Sequence, residues 1–256
     1  ALEARLGVAV GLVGSNWGGT PVEAWVSAGT IERFPRHRAE LEALALAETQ
    51  EGRRALADAT IGWWQAATML TPDSSAYAGM EFDDSGWQTL EVPGAWETGP
   101  LGDFDGIVWH RRAIDVPAEL AGQVGVLSLG PVDDDDKTLW NGLWIGATGG
   151  HTVERPYPVP GELVRAGYNV IAVAVHDSGG AGGFHGGPEE LYVEFAREAE
   201  APVRINLAGA WRATATEAPK TAYPRPRSLS PSTPSALYNG LIAPLAPFRF
   251  SGAIWY

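Results

Sequence analysis

The chain carries apolar positions in two rhythms, and the rhythm changes near residue 81. Between residues 31 and 70, Leu41, Leu44, Ala45 and Leu56 stand among Glu and Arg at helical spacing, which predicts one or two amphipathic helices. From 81 to 197 the apolar runs become short: Ile107 to His110, Val124 to Leu129, Leu139-Trp140, Asn169 to Val175 and Leu191 to Phe195. Turn clusters separate them, among them Asp83-Asp84-Ser85-Gly86 and Ser178-Gly179-Gly180. Asn141-Gly142, set between Leu139-Trp140 and Leu143-Trp144-Ile145, is a strong hairpin signal, because a type I′ turn needs positive φ at both central residues. Many short strands spaced in this way predict an antiparallel β-sandwich.

The flanks read differently. Residues 1–30 suggest a helix end closed by Gly7, a strand from Val8 to Val13, a turn at Gly18-Gly19 and a helix near Pro21 to Trp25. A strand feeding a glycine turn is an α/β signature, with ligands expected at the carboxyl end of the strand. After 198 come a strand-like Val203 to Leu207, a Pro/Ser-rich loop from Pro219 to Pro234, a short helix within Leu237 to Phe248, and a strand from Gly252 to Tyr256. The order predicts an α/β domain in two parts, 1–80 and 199–256, interrupted by a β-sandwich at 81–198. The first residues lie inside a helical pattern and the last inside an apolar run, so the chain is expected to be an internal piece of a longer protein.

Composition narrows the partners. A formal net charge of −13 argues against nucleic acid and an anionic membrane surface. No apolar run approaches the roughly 18 residues of a membrane span. The 256 residues include no cysteine, which excludes disulfides and thiolate metal sites. The 11 Trp and 32 Gly suit a turn-rich β protein that stacks sugar rings on indoles.

The stretch Gly11-Leu12-Val13-Gly14-Ser15-Asn16-Trp17-Gly18-Gly19-Thr20-Pro21-Val22-Glu23-Ala24-Trp25 resembles a segment of bacterial sialate O-acetylesterases, with Asn16 where Ser is commoner. A second match covers Leu237-Tyr238-Asn239-Gly240-Leu241-Ile242-Ala243-Pro244-Leu245 and Gly252 to Tyr256. The middle, notably Pro93 to Trp96, Val108 to Arg112, Asn141-Gly142 and Gly167 to Val173, is similar to the jelly-roll of many such esterases and to the sugar-binding domain of glycoside hydrolase family 2. The resemblance implies a partial SGNH-hydrolase-like, flavodoxin-like three-layer domain around a galactose-binding-like jelly-roll. It implies hydrolysis of O-acetyl groups on sialic acid or another acetylated glycan by Ser, His and Asp, with no metal or other cofactor. Nucleophile and base would lie on blocks outside this chain, leaving no catalytic residue here. Gly18 and Gly19 would offer N–H groups to the oxyanion, and Ser15, Trp17, Thr20, Glu23 and Asn239 would line the substrate pocket. Export to the periplasm or beyond follows from the resemblance only.

Read without the resemblance, the same residues favour structure over catalysis. Ser15 does not sit in a Gly-x-Ser-x-Gly elbow. The five histidines, His37, His110, His151, His176 and His185, show no i, i+4 pairing for zinc. His176-Asp177 reads as a loop contact, and the bare acidic run Asp133-Asp134-Asp135-Asp136-Lys137 lacks the alternating carboxylates of a calcium loop; the acidic turn before a strand expected there is what the resemblance implies. Asp73, Asp83, Asp84, Glu97, Asp103 and Asp105 have no spacing that would place a glycosidase pair. The competing function is a non-catalytic carbohydrate-binding sandwich using Trp96, Trp109, Trp140, Trp144 and the loop Gly179 to Gly187.

Overall fold

The computed structural model describes residues 2–70, 76–197 and 200–253. The chain divides into two compact units, residues 1–58 with 225–256, and residues 59–224.

The larger unit is a β-sandwich. Its strands are β1 (Gln88–Val92), β2 (Gly94–Ala95), β3 (Gly106–Val116), β4 (Gly125–Asp133), β5 (Asp135–Trp140) and β6 (Leu143–Gly149). They continue with β7 (Glu154–Val159), β8 (Gly167–Asp177), β9 (Gly183–Phe184), β10 (Leu191–Arg197), β11 (Glu200–Asn206) and β12 (Gly209–Thr216). One sheet runs β1-β12-β3-β8-β5-β6, the other β11-β10-β4-β9-β2, with β7 paired to β4. The Asn141-Gly142 signal holds: the two residues have φ of 49° and 85° and close the β5–β6 hairpin.

Alternation explains why the first sheet is apolar on both faces. Val108, Ile171, Val173, Val175 and Trp140 point into the core shared with Leu127, Leu129, Val193 and Phe195 of the second sheet. Their neighbours in sequence, Ile107, Trp109, Ala172, Ala174 and Leu139, form a second cluster on the opposite face. There they meet Trp63, Trp64 and Ala67 of the helix Gln50–Leu70. A sheet covered on both sides needs near-continuous apolar strands, and β8 is buried from Asn169 through Asp177. The adjacent indoles pack edge-to-face at 5.0 Å, and each N–H is satisfied: Trp63 donates to the Thr221 carbonyl at 2.8 Å, Trp64 to the Tyr223 hydroxyl at 3.3 Å.

The smaller unit contains α1 (Leu2–Leu6), a 3₁₀ turn (Val22–Trp25), α2 (Ala28–Ile31), α3 (Pro35–Ala47) and the start of α4 (Gln50–Leu70). Pro35 opens α3 at a position where a missing N–H costs nothing, and the Thr49 hydroxyl caps α4 by accepting the Gly52 N–H at 3.1 Å. A π-turn (Tyr238–Ile242) and a 3₁₀ turn (Ala243–Leu245) complete it.

Two expectations need correction. The SGNH-type α/β domain is not found: residues 8–13 form no strand, and every strand pairing among the described residues is antiparallel. An apolar run becomes a strand only with a ladder partner, and here Leu12 is 85% exposed. The sandwich also continues past residue 198, because β11 pairs with β10 and β12 lies between β1 and β3. The strand expected at Gly252 to Tyr256 falls largely outside the described residues, as does Asp73.

Candidate functional site

A cavity of about 450 Å³ opens in the larger unit, lined by Ala76, Gly79, Met80, Glu81, Phe82 and Asp83. The lining segment has no regular structure of its own and is held in place by a side chain from β3. Arg111, 2% exposed, ion-pairs through Nε with the Asp84 carboxylate at 2.9 Å. Its terminal nitrogens donate to the carbonyls of Tyr77, Gly79 (3.1 Å) and Phe82 (3.4 Å). A planar guanidinium carries five donors in a fixed fork, so one buried residue can satisfy several loop carbonyls at once. The Arg111 guanidinium also lies 5.4 Å from the centre of the Phe82 ring.

Aromatic packing shapes the rest of the wall. Tyr77 meets Phe82 at 5.0 Å, Trp87 at 4.9 Å and Trp109 at 5.7 Å, all edge-to-face, and Phe82 lies 5.4 Å from Trp87. Phe82 is half-buried, whereas Glu81 and Asp83 are exposed. Asp83 accepts the Ser85 backbone N–H at 3.0 Å, which holds its carboxyl below the usual range. The cavity thus combines one partly open ring with two exposed carboxylates, inside the size range of small-ligand sites.

The four consecutive aspartates separate into different roles. Asp136 is fully buried and accepts Arg155 Nε at 3.1 Å, the Thr138 hydroxyl at 2.7 Å and the Tyr157 hydroxyl at 2.8 Å. Arg155 spends its remaining donors on the carbonyls of Gly150, Val153, Val132 and Asp134. Burial pushes the Asp136 carboxyl upward, against the pull of Arg155, and burial together with Asp136 raises Tyr157. Asp135 pairs with His176 Nδ1 at 3.1 Å, and that imidazole stacks on Tyr223 at 5.9 Å and lies 4.7 Å from Trp63. Asp133 and Asp134 remain at the surface end of β4, half-buried.

The expected tryptophan platform is mostly core. Trp96, Trp109 and Trp140 are buried, while Trp144 is partly exposed with the Lys137 ammonium 4.8 Å from its ring centre. The loop from Gly179 to Gly187 is exposed at Gly179, Gly180 and Ala181 but buried from Gly182 to Phe184, where Gly182 lies against the Trp96 ring.

In the smaller unit the two segments singled out from the sequence meet. The Ser15 hydroxyl donates to the Leu241 carbonyl at 3.3 Å, and the Ser235 N–H donates to the Glu23 carbonyl at 2.9 Å. Thr20 bridges locally, donating to the Trp17 carbonyl at 2.9 Å and accepting Trp25 Nε1 at 3.0 Å. The Asn239 N–H goes to the Ser235 carbonyl at 2.9 Å. Gly18 and Gly19 form an exposed turn with φ of 72° at Gly19, and Trp17 is exposed beside them. Asn239 also lines a cavity of about 530 Å³ with Leu41, Leu229, Pro234 and Ser235; of the other expected pocket residues, none is on that lining.

Sequence reasoning missed Glu81 and Phe82; it read Asp83-Asp84 as part of a turn and set them aside as glycosidase carboxylates. The signal available was the pair Arg111-Arg112 within the otherwise largely apolar stretch Ile107 to Ile114: alternation along a strand turns one of the two inward, a buried cation that must collect acceptors from elsewhere.

No family model matches the chain, and no curated protein matches it. Solved structures do. A β-glucuronidase of Bacteroides uniformis is 19% identical over 54% of this chain and 16% of that one, with a TM-score of 0.38. A glycoside hydrolase family 2 member from Bacteroides cellulosilyticus is 20% identical over 41% and 17%, with a TM-score of 0.37. A β-glucuronidase of Faecalibacterium prausnitzii is 27% identical over 38% and 18%, with a TM-score of 0.32. The chain spans less than a fifth of the length of each of these three. The expectation of a sialate O-acetylesterase-like ester hydrolase is corrected: these three neighbours are glycosidases, none of them an esterase, and no comparison supports that activity. Among the described residues, no helix is long and apolar enough to cross a membrane.

Proposed function

We propose that the sandwich is a non-catalytic carbohydrate-binding module and that an uncharged sugar occupies the cavity between residues 76 and 83. The observation that carries this reading is that the half-buried Phe82 and two exposed acidic residues, Glu81 and Asp83, line one cavity of about 450 Å³. Pyranose C–H faces stack on an aromatic ring, and ionised carboxylates accept pairs of sugar hydroxyls through charge-assisted hydrogen bonds. The same charges repel a uronate or a sialate, so the acidic sugars of the neighbouring enzymes and of the sequence resemblance are disfavoured ligands. Ser15, Trp17, Gly18, Gly19, Thr20, Glu23 and Asn239 have no hydrolytic role in this reading.

Isothermal titration of the whole 256-residue chain with a panel of neutral and acidic oligosaccharides tests it. The expected result is saturable binding of at least one neutral glycan, weakened about tenfold or more by Phe82→Ala. A panel in which only acidic glycans bind, or in which Phe82→Ala changes nothing, overturns it.

A further inference from the structure

We propose that one end of the sandwich holds a divalent transition-metal ion through Asp133, Asp134 and His151. One ligand atom from each of the three residues lies within 4.8 Å of the others, so a small movement of the side chains brings all three to bonding distance of one ion. The sequence brings them there from two places, the end of β4 and the loop after β6, joined by the Gly150 N–H donating to the Asp134 carbonyl at 2.8 Å. A fourth donor stands close, since His185 Nε2 lies 4.0 Å from Asp133 Oδ2.

A neighbouring buried acid gives the independent reason to expect a ligand. Asp177 is 1% exposed; its Oδ1 accepts the Gly179 N–H at 2.8 Å, yet its Oδ2 has no hydrogen-bond partner. Ser178, the next residue, donates both its backbone N–H (3.1 Å) and its hydroxyl to Asp134 Oδ2, which brings the two carboxylates into one locality. Burial raises the Asp177 carboxyl, and Asp105, Asp134 and Glu97 raise it further. Glu97 adds another buried oxygen without a partner, Oε2. A buried carboxylate oxygen among like charges requires a donor, and a water bound to a cation is a strong one.

The donor set decides the ion class. Two carboxylates with an imidazole suit Mn²⁺ or Zn²⁺, whereas Ca²⁺ prefers oxygen donors throughout. The ion bonds Asp133, Asp134 and His151 directly, and its coordinated water donates to Asp177 Oδ2. This site is separate from the sugar cavity and stands whether or not that cavity binds sugar.

The test is isothermal titration of the untagged, EDTA-treated chain with MnCl₂, ZnCl₂ and CaCl₂ in turn, without sugar. The expected result is one saturable site for Mn²⁺ or Zn²⁺, tighter than for Ca²⁺, and weakened at least tenfold by His151→Ala. His151 is exposed, so that variant keeps its fold; Asp177→Asn, which preserves shape, is expected to weaken binding by a smaller factor. No saturable binding of either ion, or binding unchanged by His151→Ala, overturns the proposal.

Discussion

The Nε of Arg111 lies 2.9 Å from a carboxylate oxygen of Asp84, and this pair ties β3 to the loop segment that lines the 450 Å³ cavity. The ion pair is asymmetric: the Arg111 side chain is 1% exposed and that of Asp84 30%. Arg111→Met therefore leaves the Tyr77, Gly79 and Phe82 carbonyls without their donor but adds no buried charge. Asp84→Asn leaves a buried guanidinium with carbonyl partners alone. Arg111→Met is expected to cost about 2–3 kcal/mol and to abolish sugar binding, as three carbonyls lose their donor. Asp84→Asn is expected to cost less, because that carboxylate is partly solvated. Urea denaturation of both variants checks the order.

The Asp136–Arg155 pair presents the opposite case, with both side chains fully buried. Removing one partner strands the other charge, so Arg155→Met is expected to destabilise the sandwich by about 3–5 kcal/mol. Asp136→Asn with Arg155→Met is expected to recover part of that loss, since the uncompensated charge is then gone. A double-mutant cycle by denaturation measures the coupling.

His110 gives the fold a dependence on pH. It is 1% exposed, wedged between Trp96 and Phe184, and burial lowers its pKa from 6.5 to about 4. The unfolded chain takes up the proton near 6.5 and the folded chain only near 4, so the contribution is complete above pH 6.5 and is lost as pH falls to about 4. The size is about 3 kcal/mol for this group alone. His110→Phe is expected to flatten the stability profile within that window. Parallel profiles for the two proteins would contradict the assignment.

Trp64 anchors α4 to the sheet. Its side chain is among the largest that are fully buried. Trp64→Ala is expected to cost about 3–5 kcal/mol, visible as an earlier thermal transition with β-sheet circular dichroism retained below it.

Much of the sandwich was legible because its strands carry local information. Asn141-Gly142 announces its own turn, and the run Asn169 to Val175, bounded by turn clusters, reads as a short strand. What covers it was not legible: Trp63-Trp64 reads as part of an ordinary amphipathic helix, and nothing local says that Ala172 and Ala174 receive them. Likewise Val203 to Leu207 looked like a strand of another domain, since pairing of β11 with β10 and of β12 with β3 is a non-local choice. Val8 to Val13 shows the converse error. Its apolar pattern has strand character, but pattern alone supplies no partner for its backbone. The cavity escaped notice because its lining is irregular backbone, shaped by an arginine some thirty positions away in the chain.

Amide shift mapping of the ¹⁵N-labelled chain, titrated with the neutral glycan that binds most tightly, tests the sugar-binding claim most directly. The account predicts shifts concentrated from Ala76 to Trp87 and at Arg111, the cavity and its support. Shifts gathered instead around Trp144, or the absence of any saturable shift with every neutral glycan, would contradict it.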